Sequence, residues 1–210
     1  MTDALPLWSQ PPLWLHLSDD EFEETYRAGD RRGYLHRVLV RALSHAVERI
    51  PTEEELRRKP LTVEFAPPLP SKLSFYMYEA TQHASERQQG TFKVQLTGGV
   101  RRSSASNRLF FDRSAKARVI LAGYHPELRL FIIWDADLHE LAGGFPYSKN
   151  VQAPPEVASE ALARGLAHTS RRLKRPSVTE RIVAARPRHL DRALQLRIQL
   201  SVQTLLEENL

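Results

Sequence analysis

The chain has 210 residues, of which 41% are hydrophobic and 26% charged, and its formal net charge is +5. This composition allows a folded core and excludes general disorder, and without a run of about 18 apolar residues we expect no membrane partner. Cysteine is absent, which excludes a disulfide scaffold and thiolate metal sites and agrees with a cytoplasmic location.

The charge is distributed unevenly along the chain. Residues 1–70 contain 9 basic and 12 acidic residues, net −3, whereas residues 71–210 contain 21 and 13, net +8. The second part is therefore the one that would meet a polyanion such as nucleic acid. The alternative interpretation is a basic surface that only keeps the protein in solution.

The N-terminal part has a helical pattern over residues 18–50. Ser18 is a typical N-cap before an acidic first turn, and the apolar residues of "GYLHRVLVRALSHAVERI" recur at helical spacing. Pro51 ends this helix, and "PTEEELRRK" begins a short further one. The proline-rich joint "FAPPLPSK" then separates a helical N-terminal region, 1–71, from a β-rich region, 72–210, that ends in a helix.

The second region changes to a strand pattern, with β-branched and aromatic residues between Gly, Ser, Asn and Pro. The predicted strands are 72–81, 91–97, 108–112, 117–124, 128–137, 147–153 and 179–187. The link "GYHPEL" predicts a hairpin. Helices are predicted in "PPEVASEALARGLAHTSRRL" and over 188–210. This order indicates an α+β fold: a curled, mainly antiparallel sheet or an open β-barrel, flanked by helices.

Three basic segments lie in this region. The Gly and Ser residues of "GGVRRSSASNR" would let backbone N–H groups approach a phosphate. The basic residues of the first two segments are Arg101, Arg102 and Arg108, then Arg171, Arg172, Lys174 and Arg175. The third, "RPRHLDR", adds Arg186, Arg188, His189 and Arg192. We expect the first two to hold DNA phosphates, although solvated turns would have the same composition.

An acidic segment, "IIWDADLHE", suggests a different chemistry. If the strand continues, Asp135, Asp137 and His139 share one face, because side chains alternate. Such a set would suit a divalent metal such as Mg²⁺, and with Glu86 and Lys93 it would form a nuclease centre. However, Thr91 stands where the acid of an acid-x-Lys nuclease signature belongs. We therefore expect a chain that binds DNA without cutting it and without a cofactor.

The segment "GGFPYSKNVQA" combines aromatic and amide side chains. This segment, which contains Phe145, would form a pocket with Tyr124 and Trp134. The pocket would stack on an unstacked base and read its edge. Sheet core plus a loop is the alternative. The residues predicted to face the DNA bases are Lys93, Gln95, Tyr147, Lys149, Asn150 and Gln152.

The order of the blocks "FYMYEATQ", "FKVQLTGG", "VILAGYHPELRLFIIWDADLH", "YSKNVQA" and "ERIVAARPRHLDRAL" resembles an uncharacterised module of bacterial restriction and phage-defence proteins. That module is often placed ahead of a nuclease domain, and the likeness covers about residues 72–197. In the module the position of Thr91 is usually Glu, so Thr91 is a departure that counts against cutting.

The resemblance implies recognition of double-stranded DNA, with or without a base modification, for a restriction or phage-defence system. A nuclease domain or subunit would be the partner. Two alternatives stay open. One is a metal-dependent nuclease that uses Glu86, Lys93, Asp135 and Asp137 with Mg²⁺. The other is a protein-interaction subunit of a defence complex, docked through its acidic N-terminal helices.

Overall fold

The computed structural model describes residues 11–82, 89–101, 107–141, 143–173 and 178–208. The α-helices in these ranges are α1 (Asp19–Tyr26), α2 (Arg31–Ala42), α3 (Pro155–Arg164) and α4 (Leu190–Glu208), and short 3-10 helices lie at Leu13–Leu15, Glu55–Arg57, Asp137–His139 and Pro187–His189. The strands are β1 (Leu61–Glu64), β2 (Lys72–Glu79), β3 (Thr81–Gln82), β4 (Phe92–Leu96), β5 (Arg108–Leu109), β6 (Arg118–His125), β7 (Leu130–Trp134), β8 (Phe145–Pro146), β9 (Lys149–Ala153), β10 (Leu166–Arg172) and β11 (Thr179–Ala185).

The helix predicted over 18–50 is two helices, because a second N-cap interrupts it, and the second one ends at Ala42 instead of at Pro51. Ser18 caps α1 in a capping box with Glu21, as its position before an acidic turn predicts. The Asp30 side chain then accepts a hydrogen bond from the Arg32 amide and starts α2. This second start fixes the position of two consecutive arginines, Arg31 and Arg32, in the first turn of α2.

A six-stranded sheet forms the centre of the molecule, in the order β1-β2-β6-β7-β11-β10. Only the β2–β6 pair is parallel among these neighbours, and β6 and β7 form the hairpin that "GYHPEL" predicts. The α+β prediction with a mainly antiparallel sheet is therefore confirmed. The sheet ends at β1 and β10 and is not closed into a barrel.

The strand β10 lies where the sequence predicts a continuing helix. Gly165 ends α3 with φ = +92°, a conformation that glycine adopts without strain. The chain then pairs antiparallel with β11 over the seven residues Leu166–Arg172. The helical prediction failed here because the long-range ladder with β11 outweighs the local preference of "LAHTSRR". Strand β1 was also missed, since its four residues are too few for a clear pattern.

The central sheet is buried on both faces. Phe75, Ile120 and Val183 pack with residues of α1, α2 and α4 on one face. Tyr76 and Leu121 pack on the other face with α3 and the small sheets β3-β4-β9 and β5-β8. This alternation follows directly from the period of two in the strands.

Both predicted regions contribute to one core. The core on the helical face runs in sequence from Trp14 to Leu200, and β1, from the N-terminal region, pairs with β2 across the proline-rich joint. The division at residue 71 stays a prediction. In the folded chain, however, the N-terminal helices lie close to strands of the second region, and this proximity creates the site described next.

Candidate nucleic-acid interface

The small sheet β3-β4-β9 has one exposed polar face. Residues that lie directly opposite each other in a ladder place their side chains on the same face. Gln95 lies opposite Asn150, and Lys93 lies opposite both Gln152 and Thr81. The intervening residues of β4 and β9 are buried in the core. We call Thr81, Lys93, Gln95, Asn150 and Gln152 the polar face. Four of its five members are residues predicted to face DNA bases.

A cleft of about 910 Å³ adjoins the polar face. The small sheet contributes Thr81, Lys93, Gln95, Thr97 and Asn150 to its lining. The N-terminal region contributes Asp30, Arg31, Arg32, Leu35, Arg57 and Lys59, and β2 contributes Met77, Tyr78 and Glu79. The cleft therefore combines cations, amides and hydroxyls with a smaller apolar part.

The cleft carries a net positive charge. Five cations, Arg31, Arg32, Arg57, Lys59 and Lys93, face two acids, Asp30 and Glu79. Arg31 Nε lies 2.8 Å from Glu79 Oε2, and Arg57 Nε lies 3.9 Å from Asp30 Oδ2. Four of the five cations come from the region that is acidic overall. These four cations were not predicted from the sequence. The net negative charge over residues 1–70 conceals the two adjacent arginine pairs at 31–32 and 57–58.

Lys59 has an unusual environment. Its Nζ lies 3.4 Å from the centroid of the Tyr78 ring, a cation–π contact. Burial, together with the nearby Arg32 charge, lowers the pKa of Lys59 to about 7. At neutral pH this amine is therefore only partly charged, and an anion placed beside it would favour the protonated form.

The predicted basic segments lie outside the cleft lining wherever the structure describes them. Arg101 and Arg172 are exposed, and Arg108 is half-buried. Arg171 donates to the buried Glu180 carboxylate, with Nε at 2.8 Å and Nη2 at 2.6 Å from Oε2. Arg102, Lys174 and Arg175 fall outside the described residues.

Glu180 is fully buried in a small charged cluster. His139 Nε2 lies 2.9 Å from its Oε1, and Arg171 holds the other oxygen. Burial raises the pKa of Glu180, but the His139 and Arg171 partners outweigh burial and lower the pKa overall. Lys149, predicted to face DNA, is half-buried beside this cluster, with Nζ 3.4 Å from the His139 carbonyl oxygen. Burial lowers the pKa of Lys149.

The acidic segment does not form the expected shared face. The strand ends at Trp134, and Asp135 Oδ1 accepts the Asp137 amide at 3.1 Å, which starts a turn of 3-10 helix. Because the strand stops there, the alternation that would align Asp135, Asp137 and His139 is lost, and this part of the prediction is wrong.

Each carboxylate in this segment instead has an arginine partner. Asp135 Oδ2 lies 2.9 Å from Arg197 Nη2, and Asp137 Oδ1 lies 2.5 Å from Arg113 Nη2. Among the described residues, no three His, Asp or Glu side chains come together as a metal site would require. Glu86, the remaining acid of the nuclease alternative, lies outside the described ranges.

The predicted aromatic pocket also separates. Tyr124 is buried in the core on the helical face of the sheet, whereas Trp134 and Phe145 are buried on the opposite face. Trp134 Nε1 donates to the Gln152 carbonyl oxygen at 2.8 Å, a packing role. Tyr147 is 66% exposed. Of this segment, Asn150 is the residue that reaches the cleft lining.

Comparison with known families gives one match. The family model of MTaX1, methylase-associated X1, matches residues 71–194, more than half of the chain. The chain belongs to the methylase-associated X1 family. This membership bears out in part the resemblance to a restriction-system module and supports a role related to restriction–modification.

The methylase-associated X1 match begins at residue 71. It therefore includes the polar face but not the four cleft cations Arg31, Arg32, Arg57 and Lys59. The cleft is therefore built from the family region on one side and the N-terminal region on the other. No curated protein and no solved structure matches the chain significantly. No helix within the described ranges is both long and apolar enough to cross a membrane.

Proposed function

We propose that this protein is a DNA-recognition module of a methylase-associated restriction system and binds double-stranded DNA along the cleft and the polar face. The observation that carries the proposal is the convergence of arginine and lysine side chains with paired amides in one cleft. Cations hold phosphates and position a protein on DNA, whereas amides can read base edges. Gln95 and Asn150, which lie opposite each other, are the best-placed readers.

The basic loops extend this surface. Arg101 and Arg172 are exposed on the region that carries net charge +8, and Arg102, Lys174 and Arg175 belong to the same proposal on sequence grounds. A methylase or nuclease of the same system would supply the chemistry. A methyl group that the methylase adds to a base edge would be detected by the amides that face that edge. Binding would then depend on the modification state of the DNA.

The proposal is tested by titrating a random-sequence duplex in increasing salt. If the protein makes about five phosphate contacts, log affinity falls with log salt at a slope near −4 to −5. Arg57→Ala should make this slope less negative by about 1, since it removes one phosphate contact. Arg58→Ala is the matched control. Arg58 is the neighbour of Arg57 and is about as exposed, but it pairs with Glu54 and does not line the cleft.

Two outcomes would contradict this function. The first is no binding to duplex DNA at low salt. The second is an equal loss for Arg57→Ala and Arg58→Ala, which would leave a general basic surface as the source of affinity.

A further inference from the structure

We propose, resting on the DNA-binding function above, that the cleft receives one nucleotide rotated out of the DNA stack. The bound unit would be a single unstacked nucleotide, whose base lies against Gln95 and Asn150 and whose flanking phosphates lie against the arginines of the opposite wall. Four features of the cleft lead to this inference.

The first feature is the concave shape of the site. Base edges inside a duplex are read by a helix or ribbon that protrudes into the major groove, about 12 Å wide. Gln95 and Asn150 instead line a cleft, a shape that a base outside the stack enters more readily than one within it. The volume of about 910 Å³ falls in the range of about 300–1,000 Å³ that suits small organic ligands. A nucleotide that leaves the stack would fit this space.

The second feature is the amide pair. Gln95 and Asn150 are both exposed and lie directly across the β4–β9 ladder, so their side chains are neighbours on one face. Each amide offers two donors and an acceptor. The pair can therefore match a base edge that presents a donor beside an acceptor, as the edges of adenine do.

The third feature is the position of the cations. Arg31 and Arg32 come from the first turn of α2, and Arg57 from the loop that precedes β1, where it ends the 3-10 helix Glu55–Arg57. They line the same cleft as the amides but belong to a different part of the chain. Arg32 Nη1 donates to the Arg57 carbonyl oxygen at 3.1 Å, which links the α2 start to this loop. A nucleotide between the two groups would have its phosphates and its base bound by separate elements.

The fourth feature is the apolar part of the lining. Leu35, Met77 and Tyr78 border the cleft with small exposed parts of their side chains, 3%, 3% and 6%, and Lys59 Nζ lies against the Tyr78 ring. An unstacked base loses its neighbours in the duplex, and apolar contacts together with a nearby cation partly replace them. A site that held only a phosphate would need no such surface.

The test compares two duplexes that differ by one mismatched pair. Unpairing is easier at a mismatch, so we expect the protein to bind the mismatched duplex at least tenfold more tightly than the matched one. A 2-aminopurine at the mismatch should gain fluorescence on binding, because unstacking relieves its quenching. The variant Gln95→Ala/Asn150→Ala should lose both effects, so that it binds the two duplexes with equal affinity and without a gain in fluorescence.

Gln199→Ala is the control variant, since it removes an exposed amide of α4 that does not line the cleft. It should behave as the wild type, and melting curves should show that all variants are folded. Equal affinity for the two duplexes with unchanged fluorescence would overturn the unstacked-nucleotide proposal and leave DNA binding intact. A mismatch preference that persists in the double variant would overturn the assignment to this cleft. Absence of binding to every duplex would instead overturn the proposed function.

Discussion

Lys59 lies in the wall of the cleft among charged residues from three parts of the chain. The acid Asp30 and the cation Arg32 lie at the start of α2, Arg57 lies before β1, and Lys93 lies in β4. Its pKa of about 7 is below the ordinary value of 10.5, so the unfolded chain binds this proton more tightly than the folded protein. Lys59 therefore opposes folding below about pH 7. That opposition decreases as the pH rises toward 10.5.

Lys59→Met should raise the melting temperature at pH 7, because it removes the buried amine and keeps a flexible apolar chain. The gain should shrink between pH 7 and pH 10, where the wild-type lysine loses its proton in the folded state. DNA affinity should fall for the same variant, since one phosphate contact is lost. Thermal unfolding over this pH range and a binding titration provide the measurements.

Lys72→Met is the control for Lys59. Lys72 is more exposed and forms a surface ion pair with Glu64 at 3.0 Å, a type of contact worth about 0–1 kcal/mol. It should give no comparable gain in stability. A lower melting temperature for Lys59→Met at pH 7 would show that the cation–π contact with Tyr78 outweighs the burial of the charge.

At the scale of elements, the last helix is attached to the sheet by a buried arginine. Arg197 of α4 is 3% exposed, and its Nη2 lies 2.9 Å from Asp135 Oδ2 and 3.1 Å from Ser201 Oγ. Its Nη1 also donates to the Arg181 carbonyl oxygen in β11. Burial lowers the pKa of Arg197, and the Asp135 carboxylate offsets part of this effect. Arg197 thus connects α4 to the residue that follows β7 and to β11.

Asp135→Ala should reduce the free energy of unfolding by about 3–5 kcal/mol, because it leaves Arg197 buried without its carboxylate. Arg197→Met should cause a similar loss. The double variant Asp135→Ala/Arg197→Met should be less destabilised than the sum of the single variants, since no buried charge is left unpaired. Urea unfolding of the three proteins measures this coupling.

Asp20→Ala is the control for the buried pair, because Asp20 is exposed and pairs with Arg129 at 3.0 Å. Its loss should be below about 1 kcal/mol. Additive effects of the two buried substitutions would show that Asp135 and Arg197 do not stabilise the fold as a pair.

At the scale of the whole molecule, residues from both ends of the chain share one core. Trp14 and Phe22 from the N-terminal region pack in the same cluster as Leu190 and Leu194 of α4. Strand β1 extends the central sheet by pairing with β2. A core that distant segments form jointly unfolds cooperatively. We therefore expect residues 1–71 to unfold in the same transition as residues 72–210.

The prediction is a single unfolding transition. In a Trp134→Phe variant, the remaining tryptophans lie in the N-terminal region and report on it by fluorescence, while far-ultraviolet circular dichroism reports on the whole chain. The two signals should give the same midpoint in urea. An earlier fluorescence transition would instead support 1–71 as a separately folding region.

Most strands, the start of α3, the final helix and the polar face were predictable from the order of residues alone. These features depend on local signals: the period of two in β4 and β9, proline at a helix start, and turn residues in "GYHPEL". Alternation alone places Lys93 and Gln95 on one face of β4, and Asn150 and Gln152 on one face of β9. These four residues could be predicted to face the DNA from the sequence, because the two members of each pair lie within a single strand.

Which distant segments meet depends on how the whole chain packs. Asp135 and Arg197 are 62 residues apart, and their pairing removes the carboxylate from the metal site that the local pattern suggested. Arg31 and Arg57 reach the cleft because α2 packs on the central sheet beside β2, which no local period encodes. Contacts of this kind depend on strand register and on burial from both faces of the sheet. These are properties of the assembled core, so net charge and spacing along the chain could not reveal them.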